Sequence, residues 1–314
     1  MVLGGGYGRG EGGVLRTPKG ERLYNDLDFF VFADGASRHE VCTIQNALKS
    51  ISERWEARLG IAVDFSPVKN LHSLCRVSQT LMYQELLRGW RPVWGKVDLG
   101  EWISALNAAE LPFSEAARLL LNRGMGLMFA AEKLNAETPD ADFVMRNMNK
   151  VVLGCGDALI LSAGRYQWHG AERVQAFRKY AREHAICSEM ISCYEEAYRY
   201  KLEPQPLLPE NPWENWNRCR WFFLETVRRV SNQSEGASVN DVRKGLIGAA
   251  KKERSIRNML RWLLRAKSMR AWNEVFTPPV VTVLIQLFKE MVQNNGNGQN
   301  FYSDRLFALW KAFN

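Results

Sequence analysis

The chain has 314 residues, 46% of them hydrophobic, and a formal net charge of +8, which leaves room for two domains with cores of ordinary composition. No run of about eighteen apolar residues occurs and no signal peptide opens the sequence, so a membrane span and secretion are not expected. Six scattered cysteines without a Cys-x-x-Cys pair, beside four histidines, argue against a zinc site and fit reduced thiols in a soluble cytoplasmic protein.

Along the chain, the first signal is the glycine-rich run Gly5-Gly6-Tyr7-Gly8-Arg9-Gly10-Glu11. Only Met1-Val2-Leu3 precede Gly4 at its head, short for the strand that such a loop needs, so either the natural chain starts upstream or the first strand is vestigial. Between residues 12 and 24, Pro18-Lys19-Gly20 separates two short apolar stretches and predicts a hairpin. Asn25-Asp26-Leu27-Asp28-Phe29-Phe30 follows, with a strand expected over 28–32. Residues alternate sides along a strand, so Asp26 and Asp28 point one way and Leu27 points into the core. Helical spacing of Val41, Ile44, Leu48, Ile51 and Trp55 predicts a helix over 39–59 that Gly60 ends. A strand over 61–65 carries Asp64 between apolar neighbours, a helix is expected over 71–87, and a short strand over 91–95.

From residue 99 onward strand signals nearly vanish. Helices are predicted over 114–134, 143–163, 171–202, 213–230, 239–269 and 279–292, with a flexible Asn/Gly loop over 294–298 and a last helix over 302–313. Pro204, Pro206, Pro209 and Pro212 mark an extended connector near 203–212. The expected plan is α+β: a small mixed sheet with helices over residues 1–97, then an all-α domain over 98–314.

The ordered set of glycine loop, Asp26-Leu27-Asp28 and the later Asp64 resembles the polymerase-beta-type nucleotidyltransferase superfamily, with loop wording closest to the bacterial PII-protein uridylyltransferases. The spacing from Gly6 to Asp26 is longer than in those families, an excess that the predicted hairpin would absorb without disturbing the acids. The resemblance implies a catalytic domain of that type at the N-terminus. Asp26, Asp28 and Asp64 would be its catalytic and metal-holding residues, with two magnesium ions expected and manganese able to substitute. Gly5, Gly6 and Tyr7 would receive nucleotide phosphate on backbone N–H groups, with Arg9 and Glu11 in a supporting nucleotide-binding role, Arg9 pairing with Glu11, with a strand acid or with phosphate. The implied reaction moves an NMP from an NTP, with ATP the leading candidate, to an acceptor hydroxyl that the sequence does not identify. The alternative is a degenerate or partner-directed transferase that acts as a binding or antitoxin-like module.

In the helical half, Asn122, Arg123, Lys150, Asp157, Arg165, Tyr166 and Arg173 read either as residues facing the nucleotide or as solvated surface. Arg178 and His184 loosely fit the spacing of HEPN-type ribonucleases, or an ordinary charged helix face. Between Arg243 and Arg270, Lys and Arg accumulate against the single acid Glu253. Arg254, Arg257, Arg261 and Arg265 recur at intervals of three and four as one stripe. Such a stripe suits an acceptor or partner surface for nucleic acid (the leading expectation), an acidic protein or anionic lipid, unless its Leu and Trp side packs inward and leaves a solvated helix.

Overall fold

The computed structural model describes residues 1–77, 79–266, 272–294 and 301–313, the side chains at 265, 266, 272 and 273 excepted. The chain is α+β with helix in the majority, and it divides into two compact units. The first unit comprises Met1–Leu111, Gln167–Glu172 and Tyr198–Gln205; the second comprises Pro112–Tyr166, Arg173–Ala197 and Pro206–Asn314. Sequence patterning put the boundary at residue 97. Residues 98–111 group with the first unit because Leu99 and Ile103 pack into its core, beside Phe30 and Leu86.

The first unit runs β1 (Val2–Leu3), α1 (Gly5–Gly8), β2 (Val14–Thr17), β3 (Gly20–Leu23), β4 (Leu27–Phe30), α2 (Arg38–Leu59), β5 (Val63–Phe65), α3 (Leu81–Arg88) and β6 (Arg91–Pro92). Its main sheet has the order β5-β4-β1-β6, and β2 and β3 form the predicted hairpin as a separate pair. The two-residue β1 is hydrogen-bonded on both sides, antiparallel to β4 and to β6. β4 and β5 are parallel, which demands a crossover, and α2 supplies it. Local chemistry fixes both ends of α2. Ser37 and Glu40 form a reciprocal capping box at its start, and Gly60 ends it in the left-handed region at φ 70°.

The second unit contains α4 (Phe113–Leu134), α5 (Ala141–Ser162), most of α6 (Gly170–Glu183) and of α7 (Ser188–Leu202), then α8 (Pro212–Val230), α9 (Val239–Ala249), α10 (Ile256–Ala266), α11 (Trp272–Val275), α12 (Pro279–Gln293) and α13 (Asp304–Phe313). α4, α5, α8 and α12 pack on one another around Leu121, Met125, Leu159, Trp216, Phe223 and Leu287, all fully buried. The one polar atom of the Trp216 ring is satisfied inside this core, its Nε1–H donating to the Leu127 carbonyl at 2.9 Å. Gly124 makes the close approach possible: a Cβ there would stand 2.6 Å from Leu287 and 2.7 Å from the Phe223 ring.

Three predicted helices are broken in the structure, each by a bond that spacing does not announce. The 71–87 segment is a 3-10 stretch, Leu71–Arg76, followed by α3. Asn70 caps the first, and the Thr80 hydroxyl turns back onto the Val77 carbonyl before the second. The 171–202 segment is α6 and α7. The Ile186 N–H bonds the carbonyl of Ala181, five residues back, and Ala185 takes the left-handed conformation this wrapped ending requires, at φ 49°. The 239–269 segment is α9, a 3-10 turn and α10. The Ser255 N–H and the Asn258 amide both donate to the Phe276 carbonyl, which draws the chain out of line before α10. Residues 267–269 of that prediction, and 295–298 of the expected Asn/Gly loop, lie outside the described residues. The connector over 203–211 forms neither helix nor strand.

Burial on α3 sets a testable contrast. Leu86 is 1% exposed and Met82 is 50% exposed on the same helix. Leu86→Ala should cost about 2–5 kcal/mol by removing core volume, whereas Met82→Ala should change stability by less than about 0.5 kcal/mol. Urea unfolding followed by circular dichroism measures both.

Candidate metal centre

Three acids converge at one end of the sheet. β4 lies on β5 in a register that pairs Leu27 with Val63, Asp28 with Asp64 and Phe29 with Phe65. Asp28 and Asp64 are therefore direct neighbours across the parallel pair. Asp26, two residues earlier, shares their face, and one ligand oxygen from each of Asp26, Asp28 and Asp64 lies within 4.8 Å of the others. The opposite face of the pair is apolar: the Phe29 and Phe65 rings stack with centroids 5.2 Å apart. Asp26 and Asp28 are half-buried and Asp64 is exposed, so the cluster opens to solvent on the β5 side.

Three carboxylates so close repel. Two unit charges at this separation oppose each other by about 3 kcal/mol at an effective dielectric constant of about 20, before solvent screening of Asp64 lowers it. A cation removes that cost. The donor set is carboxylate oxygen alone, which suits a hard divalent ion and not zinc.

The glycine run makes a single helical turn, α1, immediately beside this cluster. The Gly4 N–H donates to the Asp28 carbonyl at 2.8 Å, tying the start of the turn to β4. Gly5 sits at φ 58°, and a Cβ at that position would collide with the Asp28 carboxylate. Glycine is required there twice over, by conformation and by space. The N–H groups of Gly5, Gly6 and Tyr7 belong to the first turn, where no intrahelical carbonyl is in reach. The Tyr7 hydroxyl donates to the Gly13 carbonyl at 2.7 Å and accepts the Tyr24 N–H at 3.1 Å, joining the turn to the chain that leads into β4.

Arg9 and Glu11 lie behind the turn in a chain of ion pairs. Arg9 meets Glu85 at 3.2 Å and Glu11 at 3.7 Å, and Glu11 meets Lys201 at 2.8 Å and accepts the Gly170 N–H. Arg9 and Glu11 are largely buried, so these pairs hold the exit of the loop in place. Of the partners the sequence offered Arg9 (Glu11, a strand acid or phosphate), Glu11 is the one seen, and Glu85, Gly170 and Lys201 were not anticipated. No periodicity links residues 190 positions apart.

The other sequence candidates fall elsewhere. Asp157 and Arg173 form a largely buried pair at 3.6 Å inside the second unit, with the Tyr166 hydroxyl on Arg173 and the Tyr194 hydroxyl on Asp157. This group is internal packing, neither of the two places expected for it, because α5, α6 and α7 close over it. Burial first, and then the Asp157 charge, push the Tyr194 phenol well above its ordinary pKa, so it stays a donor. Arg178 pairs with Glu195, while the His184 ring stacks on Tyr180. The expected arginine stripe is not one helix face. Arg254 precedes α10 and lies over the Phe276 ring, Arg257 and Arg261 are exposed on α10, and the Arg265 side chain is outside the described residues. Among the described residues no helix is long and apolar enough to cross a membrane.

Comparison with protein-family models, with curated proteins and with solved structures returns no match to this chain.

If the three acids hold an ion, millimolar Mg²⁺ or Mn²⁺ should raise the unfolding temperature by a few degrees, as binding to the folded state alone must. Asp28→Asn should abolish that shift. Gly5→Ala should lose about 1–2 kcal/mol or more from the left-handed backbone alone and, by displacing Asp28, should also lose the shift. Differential scanning fluorimetry with and without metal reads all three.

Proposed function

We propose that this chain is a divalent-metal-dependent nucleotidyltransferase of the polymerase-beta type, moving an NMP from an NTP, with ATP the leading candidate, to an acceptor hydroxyl. The observation that carries the reading is the approach of Asp26, Asp28 and Asp64 to within 4.8 Å beside a glycine turn with no room for a side chain at Gly5. An all-carboxylate set next to open backbone N–H groups pairs a place for cations with a place for phosphate.

Magnesium ions, two being expected, would offset phosphate charge and polarise the reacting α-phosphate when bound. Asp26 and Asp28 would hold them. Asp64, the exposed member, would complete the set on the acceptor side and take the proton from the attacking hydroxyl. A new P–O bond then forms at the α-phosphorus, the bond to the bridging oxygen breaks, and pyrophosphate leaves. The N–H groups of Gly5, Gly6 and Tyr7 would donate to phosphate oxygens. Arg9 and Glu11, engaged with Glu85 and Lys201, would keep the turn from moving, since a displacement of about 1 Å costs such reactions heavily.

The test is calorimetric titration with ATP and Mg²⁺, together with pyrophosphate release, on wild type and Asp26→Ala/Asp28→Ala. Wild type should bind at millimolar nucleotide or below, and the variant should release pyrophosphate at least about a hundredfold more slowly. Binding without turnover favours the binding-module alternative. A wild type that binds no nucleotide in the presence of metal removes the basis of the proposal.

A further inference from the structure

The helix α10 is built inside out. Its sequence, Ile256-Arg257-Asn258-Met259-Leu260-Arg261-Trp262-Leu263-Leu264-Arg265-Ala266, is strongly amphipathic, and an amphipathic helix ordinarily turns its apolar stripe to the core. Here the inward positions are Asn258 and Trp262. The Asn258 amide donates to the carbonyls of Glu253 at 2.9 Å and Phe276 at 3.0 Å, and the Trp262 ring packs on Phe313 with centroids 4.7 Å apart. These contacts fix the rotation of the helix about its axis. Ile256, Leu260, Leu263 and Leu264 are thereby turned out, with exposures of 65%, 49%, 52% and 78%. At helical spacing these four occupy one contiguous stripe.

Charge borders the stripe. Arg257 and Arg261 flank it on the helix, and Lys251, Lys252 and Arg254 are exposed just before its N-terminus. The helix itself contains no acid. Among the described residues the nearby acids are turned inward: Glu253 accepts the Ser114 N–H, with burial raising its pKa, and Glu274 on α11 is buried and paired with Arg243. Among the described residues, the outward side of the helix therefore presents large aliphatic side chains and positive charge together.

We infer that α10 is a peripheral docking helix for an anionic lipid bilayer, laying Ile256, Leu260, Leu263 and Leu264 among the acyl chains and its basic border against headgroup phosphates. Charge complementarity selects this occupant. A second copy docked antiparallel through the stripe would set arginine beside arginine, with no acid on the helix to relieve it, and one docked parallel would leave the basic border without an anionic counterpart. A nucleic acid would answer the basic border and leave four aliphatic side chains in water. A membrane surface answers both at once, as it does for interfacial helices with a basic polar face. The inference is independent of the transferase proposal, since every residue it uses belongs to the helical unit.

The experiment is flotation of the full chain with vesicles of phosphatidylcholine alone, or with about one third phosphatidylserine. Wild type should float with the anionic vesicles and at least about tenfold less with the neutral ones. Leu263→Ser/Leu264→Ser should reduce anionic flotation at least about tenfold without altering the melting temperature, because both side chains are exposed. Lys252→Gln/Arg257→Gln should weaken anionic flotation at low salt and flatten its dependence on salt. No flotation with either vesicle, or equal flotation by the leucine variant, overturns the inference. So does binding of a short RNA that the leucine variant retains in full, or a wild-type dimer that the leucine variant dissolves.

Discussion

Much of the first unit follows from one constraint, the parallel alignment of β4 on β5 that sets Asp28 opposite Asp64. A parallel neighbour cannot be reached by a tight turn, so the chain must cross over, and the capped helix α2 is that crossover. Register along the pair is fixed from the other face, where Leu27 pairs with Val63 and Phe29 stacks on Phe65. A slip of one residue would turn these apolar side chains into the acidic cluster and the acids onto the apolar side. The hydrophobic pattern thus selects which oxygens meet. The glycine turn depends on the same alignment, since Gly4 bonds the backbone of Asp28 and Gly5 lies against its carboxylate.

Asp26 and Asp28 were legible as one face because a strand has a period of two, and Asp64 stood out between Val63 and Phe65 as the third acid that the resemblance implies. That Asp64 would sit on a strand adjacent to theirs was an expectation, which the β4–β5 register bears out. The hairpin and the crossover helix were legible for similar local reasons: Pro18-Lys19-Gly20 in one, and helical spacing ending at Gly60 in the other. Illegible were features created by contacts between distant segments. Ala185 ends α6 in a conformation that usually announces itself with glycine, so the break was hidden. Lys201 and Gly170 come to Glu11 from far along the chain. The outward rotation of α10 depends on Asn258 reaching the Phe276 carbonyl, and no property of the helix alone encodes that bond.

In the helical unit three of the candidate residues, Asp157, Tyr166 and Arg173, lie in the interior. Asp157, Arg173, Tyr166 and Tyr194 satisfy one another in the interior, where leaving any of them unpaired would cost more than the set contributes. The cysteines there point the same way. Burial drives the Cys155 and Cys219 thiols up to about 12, which removes the thiolate on which nucleophilic or metal-binding chemistry depends. Around these groups the unit is a helical bundle with a solvent-facing surface. On that surface α10 is the exception to the hydrophobic rule that orders α4, α5, α8 and α12.

The first unit, by contrast, places its chemistry at the end of its own core. Phe30 is buried beside Val2, Tyr83 and Leu86, while Asp28, on the same face two residues earlier, stands among the acids. Core and cluster are thus consecutive positions on one strand face, and α1 covers the step between them. Gly4 passes against the Phe30 ring and Gly5 against the Asp28 carboxylate. The apolar packing that holds β4 keeps the acids together against their mutual repulsion. That ordering fixes the direction of dependence. Weakening the core should disperse the acids, whereas neutralising an acid should leave the core intact or more stable, the pattern of a site that spends stability to keep like charges together.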